Sequence, residues 1–145
     1  MGLDIYSAPN EDSKFTTQSP FTVTFDGRIG GAQDKCIYIR NDDTARWYEN
    51  ITVKAVDTVG IDVVDGTQEG FFWKLIEKDV APSDIEWNEL SPGNTLQLSV
   101  DLGSSTSADI VTYIPVWVRV QIPRGQRIQT IKDVVLRLEA QEHVI

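Results

Sequence analysis

The chain has 145 residues and a formal net charge of −9, with 41% hydrophobic and 24% charged residues. That length supports one domain with one core, burying roughly 68% of the surface of the unfolded chain, and the composition is that of a folded chain rather than a disordered one. Thirteen basic residues against twenty-two acidic ones argue against the basic face that nucleic-acid binding requires, and against an anionic membrane surface.

Residues 1–20 are polar, rich in Ser, Thr, Asn and Pro, with Leu3, Ile5 and Tyr6 as the early apolar cluster. They read as an arm or edge segment with a short strand at Leu3–Tyr6, ahead of a domain over 21–145. Phe21–Phe25 alternates, and Asp26-Gly27 and Gly30-Gly31 mark a turn or loop. Lys35–Arg40 sets Cys36 and Tyr38 against Ile37 and Ile39, and Asn41-Asp42-Asp43 closes that strand with turn-forming side chains. Trp47–Val56 follows, its apolar face made by Ile51, Val53 and Ala55. Ile61–Val64 is a weaker strand, and Gly70–Ile76 is bulky enough to be covered on both sides. Ser83 followed by Glu86 has the spacing of a capping box, which predicts a short helical turn near 83–89. Ser91-Pro92-Gly93-Asn94 is a turn, Leu96, Leu98 and Val100 alternate, and Gly103–Ala108 is a small-residue loop.

The clearest signal is Pro115–Pro123, where Val116, Val118, Val120 and Ile122 share one face and Trp117, Arg119 and Gln121 the other. Ile128–Glu139 then carries Val134, Leu136 and Leu138 on one face. Short strands with frequent turns predict an all-β fold, a single antiparallel Ig-like β-sandwich of roughly seven to nine strands.

Chemistry has few footholds. The single histidine, His143, lies close to the end of the sequence, a poor place to lock a catalytic triad. With the single cysteine, Cys36, it supplies two ligands where zinc needs four. Asp26–Gly31 lacks the lysine of a phosphate loop. No local pattern nominates a carboxylate pair for glycoside hydrolysis. The acidic run at Asn41–Asp43 is expected to stabilise a turn rather than to hold calcium. No enzyme and no cofactor are expected. One cysteine allows no intrachain disulfide, and residues 1–20 lack the basic and apolar regions of a signal peptide, so a reducing cytosol is the expected setting. Asn50-Ile51-Thr52 is a chance match to a glycosylation acceptor in that setting.

Four tryptophans remain to be placed. Trp73 sits in an apolar run and reads as core. Trp47 and Trp87 flank turns, and Trp117 lies beside Arg119 on the polar face of its strand. Aromatics and arginine dominate binding hot spots, so Trp47, Trp87, Trp117 and Arg119, with Leu3, Ile5 and Tyr6 of the arm, are the candidate partner-binding residues. Flat indole faces also suit pyranose rings, so a glycan is the lesser alternative partner.

Phe25–Gly31 leading into Ile37–Asp43 and Trp47–Val53, and later Glu86–Asn94 ahead of Val116–Val120, resemble small Ig-like β-sandwich proteins of the virions of tailed bacteriophages. The resemblance covers most of 21–145 and rests on turn-and-strand motifs. It implies a non-enzymatic virion structural protein assembled in the host cytoplasm. Its expected partners are other virion proteins (major capsid, neck or tail subunits), with a homo-oligomer also open. Capsid decoration or cement comes first, a neck, tail or baseplate accessory next. The alternative is a carbohydrate-binding β-sandwich module that uses exposed tryptophans.

Overall fold

A computed structural model describes residues 2–10, 12–16, 18, 20–25, 28–57, 64–65, 70–125 and 134–145. The fold is all-β and antiparallel. The strands are β1 (Leu3–Tyr6), β2 (Gly31–Asn41), β3 (Arg46–Asp57), β4 (Phe72–Glu77), β5 (Leu96–Gln97), β6 (Tyr113–Ile122) and β7 (Val134–Val144), with one short helix, α1 (Asp84–Asn88), between β4 and β5. They form a four-stranded sheet in the order β1-β2-β6-β4 and a three-stranded sheet in the order β5-β3-β7.

Alternation along each strand decides which residues enter the core. Ile37 and Ile39 of β2, Ile114, Val116, Val118 and Val120 of β6, and Leu75 of β4 turn inward from the four-stranded sheet. Tyr48, Ile51 and Val53 of β3 belong to the same cluster, with Leu136 and Leu138 of β7 packed against it. The two sheets therefore share one hydrophobic cluster. Between Glu49 and Thr52 the β3–β7 register shifts, and Asn50 adopts a positive φ of 52°. The extra residue of this bulge lets Tyr48 and Ile51 both face inward although they stand an odd number of positions apart.

Several expectations change in detail. Phe21–Phe25 forms no strand; its alternation is real, with Phe21, Val23 and Phe25 packed on the core. What holds it is the side chains of β2: Lys35 Nζ donates to the Thr22 carbonyl at 2.6 Å and Gln33 Nε2 to that of Thr24. The strand after the Ser91–Asn94 turn shrinks to Leu96–Gln97, with Leu98 buried and Val100 exposed. β6 starts before Pro115, at Tyr113. Asn41 forms the expected turn, its Oδ1 accepting from Asp43 N–H at 2.9 Å, and is also buried, its Nδ2 donating to the carbonyls of Arg46 at 2.8 Å and Ala108 at 3.0 Å. The expected turn at 26–27, most of the weak strand at 61–64 and the first part of 128–139 lie outside the described residues.

Candidate interaction surface

The outer face of the four-stranded sheet is built row by row from its register. Cys36, Trp117 and Ile76 lie across one another on β2, β6 and β4. Asp34, Arg119 and Lys74 form the next row on one side. On the other side Tyr6, Tyr38 and Pro115 align across β1, β2 and β6, followed by Asp4, Arg40 and Tyr113.

The segment after β4 folds back over part of this face. Ser83 caps α1, accepting from Glu86 N–H while the Glu86 side chain accepts from Ser83 N–H, the full capping box. The helix delivers Trp87 onto the sheet, where it is 0% exposed. The Arg119 guanidinium lies 5.1 Å from the Trp87 ring centroid, donates to both Asp34 oxygens at 2.7 and 2.9 Å, and reaches Asp84 at 2.9 Å. Lys74 is buried beneath the same cover and donates to the Trp87 carbonyl at 3.1 Å. Burial, then the charge of Arg119, lowers the Lys74 pKa, while Asp34 raises that of Arg119.

This geometry corrects part of the expected contact set. Trp87 is a packing residue of this chain and offers nothing to a partner. Arg119 is only 16% exposed on its side chain, because α1 and Asp34 enclose it. Leu3 and Tyr6 are each 3% exposed and Ile5 packs on the core, so the apolar groups expected to grip a neighbour are already placed within this chain. Residues 13–15 seal that edge: Phe15 N–H donates to Ile5 O at 3.0 Å, and Ser7 N–H to Ser13 O at 2.8 Å.

What α1 leaves open is an apolar end of the sheet face. Tyr38 and Tyr113 meet edge to face with centroids 5.4 Å apart. Tyr113 is 43% exposed and Val111 beside it 78%. Cys36, Pro115, Trp117 and Ile76 are half-buried around them. Burial pushes the Cys36 thiol up, so it sits there as a neutral apolar group. Arg40 borders the patch and donates to Ile110 O at 2.6 Å. The alternation set Tyr38 with Cys36 on one side of its strand but did not say which side faces out. Val111 and Tyr113 were not legible, because they precede the proline taken as the strand boundary.

Trp47 lies on the outer face of the other sheet, stacked on His143 with centroids 4.4 Å apart, and His143 Nε2 lies 3.0 Å from Glu49 Oε1. The carboxylates of the acidic run have partners in the chain: Lys14 Nζ bridges Asp4 at 2.6 Å and Asp42 at 3.1 Å, and Asp43 accepts from Ala45 N–H and Arg46. Among the described residues no group of three His, Cys, Asp or Glu side chains is placed to hold a metal, and no helix is long and apolar enough to cross a membrane. The chain matches no protein-family model, no curated protein and no solved structure.

Proposed function

We propose that this chain is a non-enzymatic structural protein that binds neighbouring protein subunits through the open end of its four-stranded sheet face. The observation that supports this reading is the exposed pair Val111 and Tyr113, at 78% and 43%, continuous with Tyr38, Pro115 and Trp117. Such a cluster of apolar and aromatic side chains favours protein contact over solvent. The setting proposed from the sequence resemblance is the particle of a tailed phage, as capsid decoration or cement first, and neck, tail or baseplate accessory second.

The test is incorporation. The wild-type chain and a Val111→Asp/Tyr113→Ser variant are each co-expressed with the capsid, neck and tail genes that neighbour its own. The variant is expected to keep wild-type thermal stability and lose at least about tenfold in particle-bound protein, as loss of a central apolar anchor implies. Equal incorporation of the two chains would overturn the reading.

The glycan alternative narrows to Trp47, half-exposed with Glu49, Asn50 and Gln141 near its stack on His143. It requires tryptophan fluorescence to change on adding host polysaccharide, and the change to vanish in Trp47→Ala.

A further inference from the structure

We propose that two copies of this chain associate through the free edge of β7, pairing antiparallel about a two-fold axis at Leu138. An open strand edge is a template for another strand, and folded proteins normally close it. Here the other sheet edges are closed or short. β1 is bordered by residues 13–15. On β4 the Trp73 N–H and C=O pair with Val64 and Gly93, and Asn94 clamps both backbone groups of Leu75 at 2.9 and 3.0 Å. β5 has two residues. β7 has eleven residues, and among the described residues nothing hydrogen-bonds to the side facing away from β3.

Backbone parity and charge together select one register. Ile145 N–H donates to Ala45 O, so the odd-numbered positions of β7 turn their backbone groups toward β3. Successive residues of a strand point these groups to opposite sides, which leaves the even-numbered positions, Val134 to Val144, facing outward. A second β7 must then pair even with even. With Leu138 opposite Leu138 of the second copy, Leu136 faces Ala140 and Val134 faces Glu142. The non-hydrogen-bonded positions between them, where side chains approach most closely, set Arg137 against Glu139 twice. Sliding by two residues one way puts Glu139 against Glu139, and the other way Arg137 against Arg137. Neither of these neighbouring registers is favourable, so the charge pattern both attracts and aligns.

Two observations support a second copy as the occupant. Within the chain Arg137 pairs across from Lys54, a like charge, and among the described residues neither Arg137 nor Glu139 forms an ion pair. The inward side chains next to this edge are also incompletely covered. Leu136 and Leu138 line an open hollow of about 310 Å³ with Leu3, Asp4, Ile5 and Phe15. The Leu136 and Leu138 side chains of an added strand would extend over it.

Sedimentation equilibrium over a range of concentrations tests the register directly. The wild-type chain is expected to dimerise, Arg137→Glu and Glu139→Arg each to weaken the dimer about tenfold or more, and the double swap R137E/E139R to restore it. Both positions are exposed, and Arg137→Glu places an acid beside Lys54, so the variants keep their fold. Hydrogen exchange gives an independent readout: protection of the even-numbered amides from Val134 to Glu142 is expected to rise with protein concentration. A wild-type chain that stays monomeric throughout its soluble range would overturn the proposal. So would a dimer indifferent to Arg137→Glu, or a double swap that fails to restore association.

Discussion

Tyr48 shows how one side chain ties distant parts of this chain together. It is fully buried, and its hydroxyl accepts from Gly2 N–H at 2.7 Å and donates to Glu142 at 2.8 Å. Burial first, and the bond to Glu142 second, push its pKa up to about 12 from 10.0. The unfolded chain therefore ionises first, so the stability Tyr48 contributes is complete below pH 10 and is lost as the pH rises toward 12. Tyr48→Phe is expected to cost about 1–3 kcal/mol at neutral pH, since a buried N–H loses its acceptor, and to flatten the alkaline limb of the stability profile. Urea titrations at neutral and alkaline pH check both, and an unchanged profile would refute the role. The sequence showed that Ile51 and Val53 face inward and placed Tyr48 nowhere, because the bulge breaks the alternation between them. Trp87 was misread for a related reason: its burial depends on where α1 lands, and that depends on strands remote in sequence.

At the scale of elements, local chemistry was the most legible. The Ser83–Glu86 spacing predicted a helical turn over 83–89, and α1 occupies Asp84–Asn88 with both capping bonds made. A cap is decided by four consecutive residues, so sequence alone suffices. Ser83→Ala is expected to lower stability by about 1 kcal/mol, and Trp87→Ala by about 3–5 kcal/mol because it empties the cover over Arg119 and Lys74. Thermal denaturation distinguishes the two. Equal, small losses would mean that α1 is a loose appendage rather than a covering layer. Phe21–Phe25 marks the limit of such reading. Alternation reports which side chains are buried; it does not report whether the backbone finds a ladder partner. Here side chains of β2 take that place.

For the whole molecule, the all-β class was legible from the density of short alternating runs, while the sheet order was not. β2 pairs with β6 across most of the chain, and β6 joins β2 to β4. Nothing in a local window encodes that choice. It follows from which inward faces complete a common core. The same non-locality sets a kinetic expectation: contacts this remote require loop closure before they stabilise, so refolding should take milliseconds to seconds rather than microseconds. Stopped-flow tryptophan fluorescence can measure it, with buried Trp87 as a reporter. A microsecond phase carrying the whole amplitude would contradict the topology. The candidate surface was legible only in part. Trp117 was correctly set on the outer side of β6, but its flank of Val111 and Tyr113 became apparent only when the strand was seen to begin before Pro115.

The bulge in β3 has a consequence for how this chain can vary. The two halves of the strand are out of phase, joined through Asn50 in its left-handed conformation. Deleting Asn50 would remove the bulge and leave Tyr48 and Ile51 two positions apart, both still inward by ordinary alternation, whereas deleting a residue from the regular stretch that follows, such as Thr52, would send Val53 and Ala55 to solvent. A loop can gain or lose a residue and leave every strand as it was. The interval between Tyr48 and Ile51 shares some of that freedom and the rest of the strand does not: single-residue deletions should be tolerated at Asn50 and purged between Ile51 and Ala55.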